Sequence, residues 1–362
     1  MSWSSPSPNA VPVRPALDAV PVYSSALASS TPVTVRASSN EAPDGVSAAV
    51  RDAVSARLER PNRYPVLGGR DLIAAVAQWL GADPAEIAVA DGSLSLLNYL
   101  LLAHCAPGAG VVLPWRSYEA YPICVLTAGG VPVRVPNRTD GAHDLDALAS
   151  AIGEGTSAVL LCSPNNPTGV ALTHDEIAAF LRHVPGHVLV VLDEAYRDFD
   201  DRADRPRSRE LLSAHPNLVL LRTFSKAYGL AGMRVGYAVG HPGIITAVRK
   251  ILPPFPVGAL SVVAAIAALG DDAHREGIVG GVRTQRDEVV RMLADHRIPA
   301  FATASNFIWL PLGERSGVLE AICAEFGMST RVFDGEGIRI SLGEPGLVEA
   351  LKAALERFAS ES

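Results

Sequence analysis

Between residues 86 and 240 the chain repeats one pattern: a short unbroken apolar run, a polar or glycine-rich turn, then helical periodicity. IAVADGS, GVVLP, SAVLLCSPNNPTG, HVLVVLDEAY and NLVLLRTFSK each read as a strand entering a loop. Residues 188–192 are apolar without alternation, as expected of a strand covered on both faces. SLSLLNYLLLAHC, THDEIAAFLRHV and HPGIITAVRKIL supply helices between the strands, and Thr173 with Glu176 forms a capping box. This alternation predicts an α/β fold on a mostly parallel sheet. In such sheets ligands gather beyond the carboxyl ends of the strands. The unusual polar residues sit at those ends: Asp91-Gly92-Ser93, Asn165-Asn166, Asp193 and Ser225-Lys226.

With 362 residues the chain exceeds the size at which a single core keeps growing, so two domains sharing a cleft are expected. The texture changes after Pro253-Pro254. Helical runs at 260–269, 283–293 and 317–325 alternate with NFIWLPL and GIRISLG, which read as antiparallel strands of a smaller α+β domain. The expected division is an N-terminal arm over 1–37, a large domain over 38–253 and a small domain over 254–362. The arm, rich in Ser, Pro and Ala, would pack on the small domain or on a partner subunit. It holds Arg14 but no apolar core of a secretory signal.

Composition narrows the partners. A net charge of −7 with no basic block argues against nucleic acid. No apolar stretch is long enough to span a membrane. Cys105, Cys124, Cys162 and Cys323 lie far apart and read as reduced core thiols, which predicts a cytoplasmic protein. His183 and His187 have the spacing of a helical metal pair, but Pro185 and Gly186 between them break the helix such a pair needs, so no metal is expected.

No GxxxxGK, no GxGxxG after a strand and no GxSxG occurs, which disfavours a P-loop, a dinucleotide fold and a hydrolase elbow. What remains is a lysine amid anion-binding surroundings. Gly92, Ser93 and Leu94 open a helix whose free N–H groups and dipole suit a phosphate. Alone, that turn is an ordinary helix start, and Lys226 and Arg234 are ordinary charges. Together with Asp193 after its apolar strand, they match what pyridoxal phosphate needs: a Schiff-base amine, an anchor, and a carboxylate for the pyridine nitrogen. A structural Arg–Asp pair is the plainer explanation of Asp193.

TFSKAYGLAG (223–232), SPNNPTG (163–169), LDEAY (192–196), SNEAP (39–43) and NRYP (62–65) together resemble the fold-type I aminotransferases of the histidinol-phosphate aminotransferase-like branch. The resemblance runs from about residue 23 to the C-terminus. It implies pyridoxal 5′-phosphate as cofactor, a seven-stranded, mostly parallel sheet and a homodimer. Lys226 would be the Schiff-base lysine and would carry the proton between Cα and C4′. Asp193 would pair with the ring nitrogen, and Asn166 and Tyr196 with the ring hydroxyl. Trp115 of PWRSYEAYP would stack on the ring, the family pattern there being PTYxxY. Gly92, Ser93, Leu94, Ser225 and Arg234 would hold the phosphate with Thr223 nearby, and Tyr64 would reach the other subunit's phosphate. Arg339 would grip the substrate carboxylate, with Tyr23, Asn40 and Arg331 lining the substrate pocket. Trp115, Tyr23 and Arg331 also fit plainer roles as core, tail and surface residues.

GSLS at the phosphate turn, where histidinol-phosphate enzymes carry GSDE or GSNE, resembles the aromatic-amino-acid branch. The reaction expected from the resemblance is amino transfer between an aromatic L-amino acid and a 2-oxo acid such as 2-oxoglutarate. Histidinol-phosphate transamination is the alternative, and a decarboxylase of the same fold a further one. A regulator built on this domain would need a DNA-binding module ahead of it, for which the arm has no room.

Overall fold

The computed structural model describes Val20 and residues 32–360, so Tyr23 and most of the expected arm lie outside the described residues. Twelve strands occur among them: β1 (Val35–Arg36), β2 (Ile87–Ala90), β3 (Gly110–Trp115), β4 (Val131–Pro136), β5 (Thr156–Cys162), β6 (Leu189–Asp193), β7 (Leu218–Thr223), β8 (Gly236–Gly240), β9 (Phe307–Leu310), β10 (Met328–Ser329), β11 (Arg331–Phe333) and β12 (Gly337–Ser341). Seven form one sheet in the order β2-β8-β7-β6-β5-β3-β4. Only β8 runs against its neighbours; the other pairings are parallel.

The unbroken apolar runs have a simple cause. Alternate residues of each central strand enter two separate cores. Leu161, Val190, Leu192 and Leu220 pack on one face, and Leu160, Val191, Val219 and Leu221 on the other. Each such side chain contributes about 1.5–3 kcal/mol on burial, so both faces must be apolar. Two strands of this sheet escaped the sequence pattern. β4 is an edge strand, largely exposed and carrying Pro132 and Pro136, which only an edge tolerates. β8 is short and bounded by glycines.

The helix Ser93–His104 packs on β2, β7 and β8 with its N-terminus at their site-bearing edge. The capping box at Thr173 and Glu176 opens the helix His174–His183 as expected. That helix stops at His183, before Pro185. All four cysteines are free and buried. No helix among the described residues is long and apolar enough to cross a membrane.

β9, β11 and β12 form a separate antiparallel sheet in the order β11-β12-β9. It is backed by the helices Asp272–Asp295, Ser316–Glu325 and Leu347–Ser360. The chain after Pro254 first returns to the large layer, where the helix Ala259–Leu269 packs on Ala48–Leu58 and Arg70–Leu80. The segment before residue 38 is tied to the second layer: β1 pairs with β10, and Ser341 N donates to Ala37 O at 2.8 Å.

Candidate active site

The carboxyl ends of β5, β6 and β7 and the start of the helix Ser93–His104 open onto a cavity of about 420 Å³, closed from the other side by residues 38–41 and by β11 and β12. Asp193 ends β6 and is 8% exposed. It accepts from Tyr121 Oη at 2.8 Å and from Ala195 N at 3.0 Å. Burial pushes Asp193 up to about 6, against the opposing pull of those two bonds. No arginine or lysine among the described residues reaches ion-pair distance of it. The neighbouring Glu194 is the contrast. Burial pushes it up too, but Arg222 at 2.8 Å and Arg197 at 3.7 Å hold it below its ordinary value. The structural Arg–carboxylate pair therefore belongs to Glu194, and Asp193 faces the cavity with only the longer-range charge of Lys226 near it.

Lys226 lies past β7 and donates to the carbonyls of Ser39 at 3.1 Å and Asn40 at 3.0 Å. Burial first, then the nearby Arg339 and Arg234, bring its ammonium down to about 7. Asn40 is held in the left-handed region at φ 54°. Its amide and side chain both bond Ser341, and its Nδ2 donates to Tyr196 Oη at 3.1 Å.

The helix Ser93–His104 starts after Gly92 at φ 107°, without a side-chain cap, so its first N–H groups are unspent. Ser93 and Leu94 line the cavity. A Cβ on Gly92 would stand 2.7 Å from Arg234 Nη2, and one on Gly236 2.3 Å from Ser93 N. The turn is thus pressed between a guanidinium and a strand. Arg234 Nη1 donates to Ala231 O at 3.0 Å and Ser225 Oγ at 3.3 Å, and Thr223 Oγ1 accepts from Ser225 N at 3.0 Å. Donors from three elements converge there, as an oxyanion group requires.

At the other end Arg339, on β12, donates to Asn166 Oδ1 at 2.6 Å and Ser38 O at 2.5 Å. Arg331 lines the same cavity and pairs with Glu119 at 3.0 Å. Two expected residues lie elsewhere. Trp115 does not line the cavity: its half-buried indole sits between the guanidiniums of Arg116, 4.3 Å away, and Arg134, 4.5 Å away. It is the last residue of β3, so its side chain leaves before the chain turns inward; the ring brought to the cavity is Tyr118. Tyr64 is 81% exposed and stacks on Phe255 at 4.5 Å, away from this chain's cavity. Tyr121 and Tyr118 were missed, although WRSYEAYP holds two tyrosines three apart, the spacing of PTYxxY.

Comparison with known proteins agrees with this architecture. The aminotransferase class I and II family matches residues 34–354. An aromatic amino acid aminotransferase of Rhodococcus jostii (strain RHA1) is 42% identical over 344 residues, 94% of either chain. One from Thermobifida fusca (strain YX) is 43% identical over 337 residues, 92% of this chain and 93% of the relative. Among solved structures, histidinol-phosphate aminotransferase from Sinorhizobium meliloti in complex with pyridoxal-5′-phosphate superposes with a TM-score of 0.83 at 30% identity, over 91% of this chain and 92% of that one. The chain belongs to the aminotransferase class I and II family, on the fold-type I architecture. It is an aminotransferase.

Proposed function

We propose that this aminotransferase uses pyridoxal 5′-phosphate to exchange amino groups between an aromatic L-amino acid and a 2-oxo acid such as 2-oxoglutarate. The observation that carries the reading is Lys226, an amine near neutrality, set between the carboxylate of Asp193 and the donor-rich turn at Ser93. The residues fit the cofactor. Asp193 would hold the ring nitrogen, Asn166 and Tyr196 the ring hydroxyl, and Tyr118 the ring face. Gly92, Ser93, Leu94, Ser225 and Arg234 would hold the phosphate, with Thr223 bracing Ser225. Bound there, the cofactor supplies a carbonyl that exchanges amines and a cationic ring that takes up the electron pair released at Cα.

The chain's own groups do the rest. Lys226 Nζ, partly neutral near pH 7, takes the proton from Cα and returns it, as a base and acid of matched pKa should. Arg339 binds the substrate carboxylate in the forked manner a lysine cannot reproduce. Residues 38–41 roof the cavity and exclude water around Lys226. Phe333 and Tyr118 give the pocket an aromatic wall, which suits an aromatic side chain. The relatives named aromatic amino acid aminotransferases support the same substrate class.

Histidinol phosphate is the second reading, favoured by the Sinorhizobium meliloti structure. Its phosphate would arrive where Arg331 is already engaged by Glu119, and Arg116 by Glu336. A donor–acceptor panel decides: phenylalanine with 2-oxoglutarate should turn over at least tenfold faster than histidinol phosphate. The reverse ranking, or carbon dioxide in place of a 2-oxo product, would overturn the assignment. Borohydride reduction of the holoenzyme should fix a pyridoxyl group on Lys226.

The chain is best read as a homodimer, its large domain running past the expected 253/254 boundary to take in the helix Ala259–Leu269 and its small domain following that helix. Tyr64, with Leu67 at 51% and Leu58 at 53% exposure, offers a second copy an apolar face, and would reach that copy's phosphate site. Free buried cysteines suit the cytoplasm.

A further inference from the structure

Arg331 and Arg339 stand directly opposite each other on β11 and β12, so both side chains leave one face of the second sheet. Both line the same cavity. Cross-strand neighbours have Cβ atoms about 4.5–5.5 Å apart, and like charges so placed are destabilising. The two cations are satisfied differently. Arg339 donates to neutral oxygens, Asn166 Oδ1 and Ser38 O. Arg331 meets a full carboxylate, Glu119 Oε2 at 3.0 Å, from the segment that follows β3. The pair is open to the cavity, with 15% and 31% of the two side chains exposed. An anion entering the cavity therefore gains Arg331 by exchanging with Glu119. A second pair, Arg116 with Glu336, joins the same two segments in bidentate fashion and holds the mouth whether or not Glu119 is engaged.

We propose that Glu119 is a specificity residue: it is the resident counter-ion of Arg331 while a neutral aromatic side chain occupies the pocket, and it yields Arg331 to the distal carboxylate of a dicarboxylic 2-oxo acid or the matching amino acid. Two guanidiniums on one face of the sheet give such a dicarboxylate one cation for each carboxyl group. Arg331 thus has one carboxylate partner whichever half of the exchange is bound. The proposal deepens the substrate reading above and rests on it.

The test uses holoenzyme and two non-reacting probes, glutarate and 3-phenylpropionate, with dissociation constants measured by titration calorimetry. Glu119→Gln should raise the affinity ratio of glutarate to 3-phenylpropionate by about three- to tenfold. Arg331→Gln should lower the ratio, and the double variant should match Arg331→Gln alone. Glu119→Asp, which keeps the charge but shortens the arm, should move the ratio in the direction of Glu119→Gln. An unchanged ratio in natively folded Glu119→Gln overturns the proposal, as does a rise that persists in the double variant. Wild-type enzyme inactive on both phenylalanine and 2-oxoglutarate would sink the substrate reading while leaving the calorimetric ratio to be read. An unchanged ratio in an enzyme active on both would sink only the role of Glu119.

Discussion

Burial shifts both Lys226 and Asp193 towards their neutral forms, and each shift leaves a mark on stability. The folded ammonium of Lys226 titrates at about 7, below its ordinary 10.5. Between those values the unfolded chain binds more protons, so apo-protein stability should rise with pH from 7 towards 10. Lys226→Met should flatten that rise, which is on the order of a few kcal/mol, in denaturant titrations across the window. Asp193 works in reverse. With a folded value of about 6 against 3.8, the folded state holds the extra proton, and stability should fall as pH climbs from 4 to 6. Asp193→Asn should therefore make the apo-protein more stable at pH 7 by roughly 2–3 kcal/mol, while weakening pyridoxal phosphate binding. Both residues were legible in the sequence because each breaks a local rule: a charge where an apolar strand ends. Trp115 misled because a bulky ring in the right motif says nothing of which way the strand end points. The residue that supports Asp193, Tyr121, lies in the helix Ala120–Thr127, 72 residues away in sequence, and carries no charge to betray it.

At the scale of elements, the turn that precedes Ser93 depends on its neighbour strand. Gly236, the first residue of β8, leaves no room for a methyl group: a Cβ there would lie 2.6 Å from Gly92 C. Gly236→Ala should push the turn aside and weaken pyridoxal phosphate binding to the apo-protein at least tenfold, read by absorbance titration. Gly280→Ala is the control. It lies inside the helix Asp272–Asp295 with open space around its Cα, and should stabilise by about 0.4–1 kcal/mol. The strand ends of β6 and β7 are pinned by Arg222 and Glu194, 7% and 2% exposed. Arg222→Ala would strand a buried carboxylate and should cost about 3–5 kcal/mol in the same denaturant assay. The central strands were readable because a strand buried on both faces has no alternation to confuse it. β4 and β8 were not, since an edge and a short glycine-bounded strand lack that signature.

For the whole molecule, the sequence resemblance reached the second layer through GIRISLG but not the way the layers are joined. The helix Ala259–Leu269 returning to the large layer is a long-range packing choice with no local signal. The proposed dimer has a direct check. Tyr64→Ala should leave the cavity of its own chain intact yet weaken cofactor retention in the assembly, and sedimentation should show one species of twice the 38.0 kDa chain mass. A monomer at micromolar concentration with full cofactor occupancy would overturn the dimer.

The segment 38–41, whose carbonyls receive Lys226, is fastened at its far side to residues 266 to 301 positions later in the chain. Asn40 bonds Ser341, its carbonyl accepts from Asn306, and Ala37 accepts from Ser341. A chain emerging from the ribosome therefore carries its reactive amine long before the clasp that orients it exists. On the proposed function, capture of the cofactor would become an inspection step, passed only by molecules whose β12 has docked on this segment.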